Sequence, residues 1–291
     1  MQASQSQSDR TQEQLPDLRI VPLASLMPHE ENDTQRSEPL IERIRTAGTL
    51  LNPPIVAPMD DDPINGHFVI LDGANRHYAL RELGYAYILV QVADYESDAV
   101  QLETWNHVVS GPSWFEFLRP INAILGLKLT ATDLLSAQAA LAQRDIMAYA
   151  VLEDGCAYTM HATATTLAEH NKILRKIVNT YKRNGVLNRI RTDVLRQARK
   201  LYPDALAIVV FPHYQPAEIV VAARDGAYLP PGISRHIIRG RAMRLHYPLE
   251  AFRENGESLA QKNEQLQLWI QRRMAEKRIR FYAESTFIFD E

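Results

Sequence analysis

Val69-Ile-Leu-Asp-Gly-Ala-Asn-Arg-His-Tyr-Ala-Leu-Arg-Glu-Leu-Gly84 reads as a buried strand that turns at Asp72-Gly73 straight into a helix. Gly73 lets the backbone approach a ligand closely. The first helical turn carries N–H groups with no intrahelical partner, and Arg76 adds a permanent cation with a bidentate fork. Ala79, Leu80 and Leu83 recur at helical spacing, and Gly84 supplies a stop. Two readings stand side by side here: a phosphate site, or Asp72 as a plain N-cap beside a solvated Arg76.

Working outward, Leu18 to Val109 reads as one β-α-β-β-α-β unit. Leu18-Arg-Ile-Val-Pro-Leu is a short strand, followed by the loop Met27-Pro-His-Glu-Glu-Asn-Asp-Thr. A helix follows near Ser37 to Ala47, with Ser37 as cap, Pro39 in the first turn and Gly48 as stop. Asn52-Pro-Pro-Ile-Val-Ala is a strand entered through a rigid turn, Pro63-Ile-Asn-Gly a hairpin signal, and Ile88 to Ala93 a closing strand. This order predicts helices on a small mixed sheet.

The second half predicts helices over Pro112–Leu125, Ala131–Gln143, Thr163–Arg183, Asp193–Leu201 and Gly256–Lys277. It also predicts paired strands Met147–Glu153 and Ala157–His161 around Asp154-Gly155, and a buried strand Ala205 to Phe211 with Glu218 to Ala223 as its neighbour. The expected organisation is a polar, disordered leader over 1–17, a nucleotide-binding unit over 18–110, and an α+β unit over 111–291 packed on it. The overall class is α/β.

The chain's 291 residues are 46% hydrophobic and 23% charged, enough for two compact units, and the net charge of −3 argues against a general nucleic-acid coat protein. Cys156 is the only cysteine, which excludes an intrachain disulfide and a thiolate metal site within one chain. No apolar run reaches membrane-span length, and the first residues have no apolar core for export, so a cytoplasmic, membrane-free protein is expected. No zinc-like spacing, Walker loop or protein-kinase signature occurs. Between Asn171 and Lys200, ten basic residues face one acid, Asp193. That stretch could lie on nucleic acid, but the apolar strand that follows at once favours a solvated face of a mixed fold.

The layout of Leu18 to Val109 resembles the ParB/sulfiredoxin-like domain, in which nucleotide phosphates sit against the turn and helix after an Asp-Gly or Gly-Gly step. Within that superfamily, Asp72-Gly73-Ala74-Asn75-Arg76, preceded by Asn52-Pro-Pro-Ile-Val, is similar to the free L-serine kinases. Partitioning proteins carry a Gly-Glu-Arg-Arg type of step there, and sulfiredoxins a reactive cysteine; this chain has neither. Leu229-Pro-Pro-Gly-Ile-Ser-Arg-His resembles the late Pro-Pro-x-x-Thr-Arg-His segment of those kinases, with Ser234 in place of Thr. Trp105-Asn-His-Val matches their substrate-side tryptophan. Asn75 stands where an archaeal, ADP-dependent member carries histidine, so proton transfer at that position is not carried over.

The resemblance implies a free L-serine kinase forming O-phospho-L-serine from ATP or ADP with Mg²⁺. Gly73, Ala74, Asn75 and Arg76 would bind the nucleotide phosphates. Trp105, Ser234, Arg235 and His236 would hold serine. From the loop His29-Glu30-Glu31, Glu30 ahead of Glu31 would act as the base. Asp72 is left with three possibilities: capping its helix, holding Arg76, or helping to place Mg²⁺ through water. His107 and Trp114 read as packing residues. The alternative is a ParB-like regulator that binds nucleotide, and DNA through the basic segment.

Overall fold

The computed structural model describes residues 15–282 apart from 33, 61, 63–65, 112, 153–154 and 183–186. Most of the expected leader, the Pro63-Ile-Asn hairpin tip and Asp154 therefore lie outside the described residues.

The first unit runs β1 (Asp17–Pro22), β2 (Leu26–Pro28), α1 (Thr34–Ala47), β3 (Thr49–Leu50), β4 (Ile55–Pro58), β5 (Phe68–Asp72), α2 (Ala74–Glu82) and β6 (Tyr87–Val92). Its five-stranded sheet has the order β1-β6-β4-β5-β2 and is mixed, with β4 parallel to β6 and β2 parallel to β5. The continuous apolar run of β5 reflects burial on both faces. Phe68 and Ile70 enter one core with Ala79 and Leu80 of α2, whereas Val69 and Leu71 enter a second core with Phe211, Leu229 and Ile233 from late in the chain. β4 divides likewise, Val56 to the first core and Ile55 and Ala57 to the second.

The chain continues as β7 (Val100–Thr104), β8 (Asn106–Ser110), α3 (Trp114–Asn122), β9 (Lys128–Thr132), α4 (Leu134–Ala142), β10 (Ala148–Val151) and β11 (Ala157–His161). It then runs through α5 (Leu167–Lys182), β12 (Leu187–Ile190), α6 (Leu195–Ala198), β13 (Ala205–Val210), α7 (Pro216–Arg224), β14 (Ser234–Ile238), β15 (Tyr247–Pro248) and α8 (Leu259–Ala275). A six-stranded antiparallel sheet has the order β12-β8-β13-β10-β11-β9. β14 pairs β7 in a separate ribbon.

Several expectations need correction. Ser37 is not the cap of α1: the helix starts earlier, and Ser37 sits buried inside it, accepting from Asn32 Nδ2 at 3.2 Å. Ala131 and Thr132, read as the start of a helix, instead end the strand Lys128–Thr132 on the edge of the large sheet, and the helix begins at Leu134. Glu218–Ala223 is a helix and not a strand neighbour of Ala205–Val210. Its β-branched run Ile219-Val220-Val221 suggests a strand, but a Gln215–Glu218 capping box and Pro216 at the helix start fix the helical alternative. The boundary at 110 also departs from the sheets. β8, ending there, belongs to the six-stranded sheet, and at the other end of the chain β15 and α8 return to the first unit. Leu266 of α8 is buried with Ile20, Leu89 and Phe252, and Asn263 exchanges hydrogen bonds with Ile20 N (2.9 Å) and O (2.8 Å), covering the open edge of β1. Trp114, expected to pack, is half exposed against Phe115, whereas His107 is fully buried.

Candidate active site

Strand β5 carries the chain to Asp72, and Gly73 turns it into α2 with φ of +99°, a left-handed conformation that favours glycine. A Cβ at this position would also sit 2.9 Å from Pro54 Cα. No side chain caps the helix, which leaves first-turn N–H groups at Ala74 and Asn75 for water or a ligand. Asp72 is therefore no cap. Its Oδ2 instead accepts from Arg76 Nη2 at 3.1 Å and pairs with Arg241. Burial pushes the Asp72 carboxyl up, but the Arg76 and Arg241 guanidiniums together outweigh it and hold the group below the usual carboxylate range. Arg76 also donates through Nη1 to Asn52 O (3.0 Å) and Pro53 O (3.2 Å), tying the Asn52-Pro-Pro turn to the helix start.

Opposite this turn, residues 29–31 are pinned to Leu229: Leu229 N donates to His29 O at 2.8 Å and Glu31 N to Leu229 O at 3.0 Å. The bridge sorts the two carboxylates. Glu31 turns to Arg175 (3.0 Å), while Glu30 reaches the loop ahead of β14. There Glu30 Oε2 accepts from Gly232 N (2.7 Å), and Oε1 accepts from Ser234 N (2.8 Å) and Ser234 Oγ (2.6 Å). Ser234 Oγ is also 2.6 Å from His29 Nε2, whose ring is buried. Gly232 has φ of +77°, and a Cβ there would run into the Arg189 guanidinium.

Pairing of β14 with β7 sets Arg235 opposite Glu103, with which it forms an ion pair, and its guanidinium lies 4.5 Å over the Trp105 ring. His236 Nε2 lies 2.7 Å from Tyr95 Oη. Burial pushes the Tyr95 phenol up, so it stays protonated and can donate to or accept from the ring. The ring's Nδ1 is buried and makes no hydrogen bond of good geometry among the described residues, although the Leu71 carbonyl is near enough to act on the ring. Burial, reinforced by His29 and partly offset by Asp72 and the Leu71 carbonyl, takes His236 down to about 3, so the ring is neutral at pH 7.

All ten residues singled out from sequence, Glu30, Asp72, Gly73, Ala74, Asn75, Arg76, Trp105, Ser234, Arg235 and His236, line one cleft of about 720 Å³. Sequence reasoning missed His29 as a participant, Tyr95 and Arg241, read Gly232 only as part of a rigid lead-in to a binding loop, and counted Arg189 only within the basic segment. The Arg239-Gly-Arg241 cluster just after β14 was the available signal for Arg241. Part of the basic segment is built into the protein, while Lys172, Lys176, Arg191, Arg196 and Lys200 are exposed. Arg175 holds Glu31 and Tyr228 O, Arg189 lines the cleft, Arg191 approaches Glu103 (3.7 Å), Arg199 donates to Ala205 O (2.9 Å), and α5 buries Leu174, Ile177, Val178 and Tyr181. No observation favours the DNA-binding alternative. Among the described residues no helix is long and apolar enough to cross a membrane.

No protein-family model matches the chain. It is 25% identical over 280 residues to the ATP-dependent L-serine kinase SbnI of Staphylococcus aureus, covering 94% of this chain and 97% of that one. Over 92 residues it is 34% identical to an ATP-dependent L-serine kinase of Staphylothermus marinus, covering 32% of this chain and 35% of that one. The solved structure of a free serine kinase in complex with AMP superposes with a TM-score of 0.67 at 20% identity, over 82% of this chain and 95% of that one. The chain thus has the fold of the free serine kinases and is a sequence relative of the ATP-dependent L-serine kinases.

Proposed function

We propose that this protein is an L-serine kinase that transfers a phosphoryl group from ATP to the hydroxyl of free L-serine, giving O-phospho-L-serine. The observation that carries this reading is the meeting, in one cleft, of the uncapped start of α2 with the Glu30 carboxylate and the Arg235–His236 pair. Relatives named ATP-dependent L-serine kinase support the donor and the acceptor.

Phosphoryl transfer asks for anchored phosphates, an aligned acceptor and a destination for its proton. The N–H groups of Ala74 and Asn75 and the positive end of α2 suit the phosphates. Arg235, backed by Trp105 and Glu103, offers a fixed guanidinium that suits an amino-acid carboxylate, with the neutral His236 imidazole beside it. Glu30 is held by two backbone N–H groups and serves as the base that takes the hydroxyl proton. Asp72 organises the turn through Arg76 and Arg241.

Magnesium fits this cleft in a limited way. No cluster of three or more potential metal ligands occurs among the described residues, but Asp72 engages both arginines through Oδ2 alone, which leaves Oδ1 for a metal-bound water. Asp72 would hold the ion in this way alongside the nucleotide phosphates, and the ion would neutralise charge on the moving phosphoryl group.

Incubation with L-serine, Mg²⁺ and either ATP or ADP, followed by mass spectrometry, tests the reading. O-phosphoserine from ATP is expected, with Glu30→Gln lowering turnover by about 10²-fold or more while nucleotide affinity holds. No product from either donor refutes it.

A further inference from the structure

His29, Ser234 and Glu30 form a chain of contacts whose hydrogens can be counted. His29 Nδ1 lies 2.8 Å from Ile70 O, His29 Nε2 lies 2.6 Å from Ser234 Oγ, and Ser234 Oγ lies 2.6 Å from Glu30 Oε1. Both ends of the chain are acceptors, a backbone carbonyl and a carboxylate. Three contacts therefore need three hydrogens. A neutral imidazole supplies one, the Ser234 hydroxyl supplies one, and an ionised Glu30 supplies none. Whichever tautomer His29 takes, one contact sets two lone pairs face to face, either at Ile70 or at Ser234.

The surroundings do not supply the missing hydrogen. His29 is 5% exposed, and burial holds it below the usual histidine range despite the raising influence of Glu30 and the Ile70 carbonyl, so the ring is neutral at pH 7. The titratable groups around it are Glu30 and His236, whose ring centroid is 5.5 Å away, with Tyr95 and Asp72 beyond His236. His236 is itself neutral and Tyr95 is committed to it.

We propose that Ser234 and His29 are positioning residues for Glu30, forming with it a triad that is one hydrogen short while Glu30 is a carboxylate and complete once Glu30 has taken the acceptor's proton. The proposal deepens the serine kinase reading and rests on it. As the acceptor oxygen bonds to phosphorus, the bond from that phosphorus to the nucleotide's bridging oxygen breaks and its electrons leave with the nucleotide. The acceptor's proton passes to Glu30. The new carboxyl hydrogen then donates from Oε1 to Ser234 Oγ, the Ser234 hydroxyl turns to donate to His29 Nε2, and His29 Nδ1–H goes on donating to Ile70 O. Proton transfer thus gains a partly buried hydrogen bond that the starting state lacks, at the step where the base acts.

Steady-state kinetics of Ser234→Ala, Ser234→Thr, His29→Asn and the Ala/Asn double variant test this. Ser234→Ala and His29→Asn should each lower kcat about tenfold to hundredfold, with KM for serine and nucleotide within about twofold. The double variant should be no worse than about the weaker single one, because the three groups act as a unit, and Ser234→Thr, which restores a hydroxyl, should recover most of kcat. A raised KM at unchanged kcat for Ser234→Ala would instead make Ser234 a plain substrate ligand and overturn the proposal. So would full activity in both single variants beside an inactive Glu30→Gln, which leaves the kinase reading intact. Absence of product from the unaltered protein, by contrast, removes the kinase reading itself. Should a variant fail to fold, ¹⁵N NMR of the unaltered protein decides: a neutral His29 protonated on Nδ1 is expected, and a ring protonated on both nitrogens overturns the triad, since the chain would then already be complete.

Discussion

Replacing Arg76 by alanine should destabilise the protein as well as weaken nucleotide binding, because the guanidinium is a clamp before it is a ligand. It makes three hydrogen bonds, to Asn52 O, Pro53 O and Asp72 Oδ2, and its side chain is only 18% exposed. A hydrogen bond from a charged donor contributes about 1.5–3 kcal/mol, and these three share one group and are not additive. Asp72 keeps Arg241 in the variant, so no carboxylate is stranded without a partner. The expected loss is therefore about 2–4 kcal/mol, below the simple sum. Urea unfolding followed by circular dichroism measures it, with an unchanged m-value showing that the denatured state is the same. Arg76→Lys should lie between the two, since an ammonium can keep the charge beside Asp72 but cannot span both carbonyls. An Arg76→Ala variant within about 0.5 kcal/mol of the parent, a shift ordinary for a surface change, would refute the clamp and leave Arg76 as a ligand only.

Gly73→Ala should lower the melting temperature and nucleotide affinity together, since the new Cβ meets Pro54 Cα at 2.9 Å in a left-handed turn that costs about 1–3 kcal/mol for a non-glycine residue; a variant that melts like the parent would show that the turn is relaxed. His107 gives a pH dependence with a definite sign. Burial, opposed by the Gly232 carbonyl and aided by Arg189 and Lys182, takes it down to about 3, so the unfolded chain binds the extra proton first. Its contribution is fully present above the unfolded value near 6.5 and falls progressively as pH drops from there towards about 3, by roughly 1.4 kcal/mol per unit in the middle of that window. Unfolding free energies at pH 7, 6 and 5 should therefore fall more steeply for the parent than for His107→Gln, and equal slopes would contradict the buried neutral ring.

Local chemistry wrote the Asp72-Gly73 turn and α2 plainly, because a strand ending in glycine before a helical apolar pattern depends on residues within one or two turns of one another. The same local logic failed at α7, where the β-branched run outweighed, on reading, a capping box that decides the helix in the fold. The candidate site was legible only as separate fragments. Glu30 and Ser234 are 204 positions apart, and no periodicity links them. The resemblance puts Glu30 ahead of Glu31, and in the fold the bridge to Leu229 separates them, turning one carboxylate to the loop ahead of β14 and the other to Arg175.

What the sequence determined by itself was each element whose signal is short-ranged: the Gly73 turn, the apolar β5 and the amphipathic α8; the ten cleft residues were picked out largely through the resemblance to the serine kinases. Tertiary structure alone decided what those residues do to one another. Asp72 became the anchor of two arginines, α8 came back across the whole chain to close the edge of β1, and a buried histidine was set against the serine that touches Glu30. The physical reason is range. Backbone preference and capping act over a few residues, whereas hydrogen-bond counts and buried charge depend on groups that only a packed core brings within 3 Å.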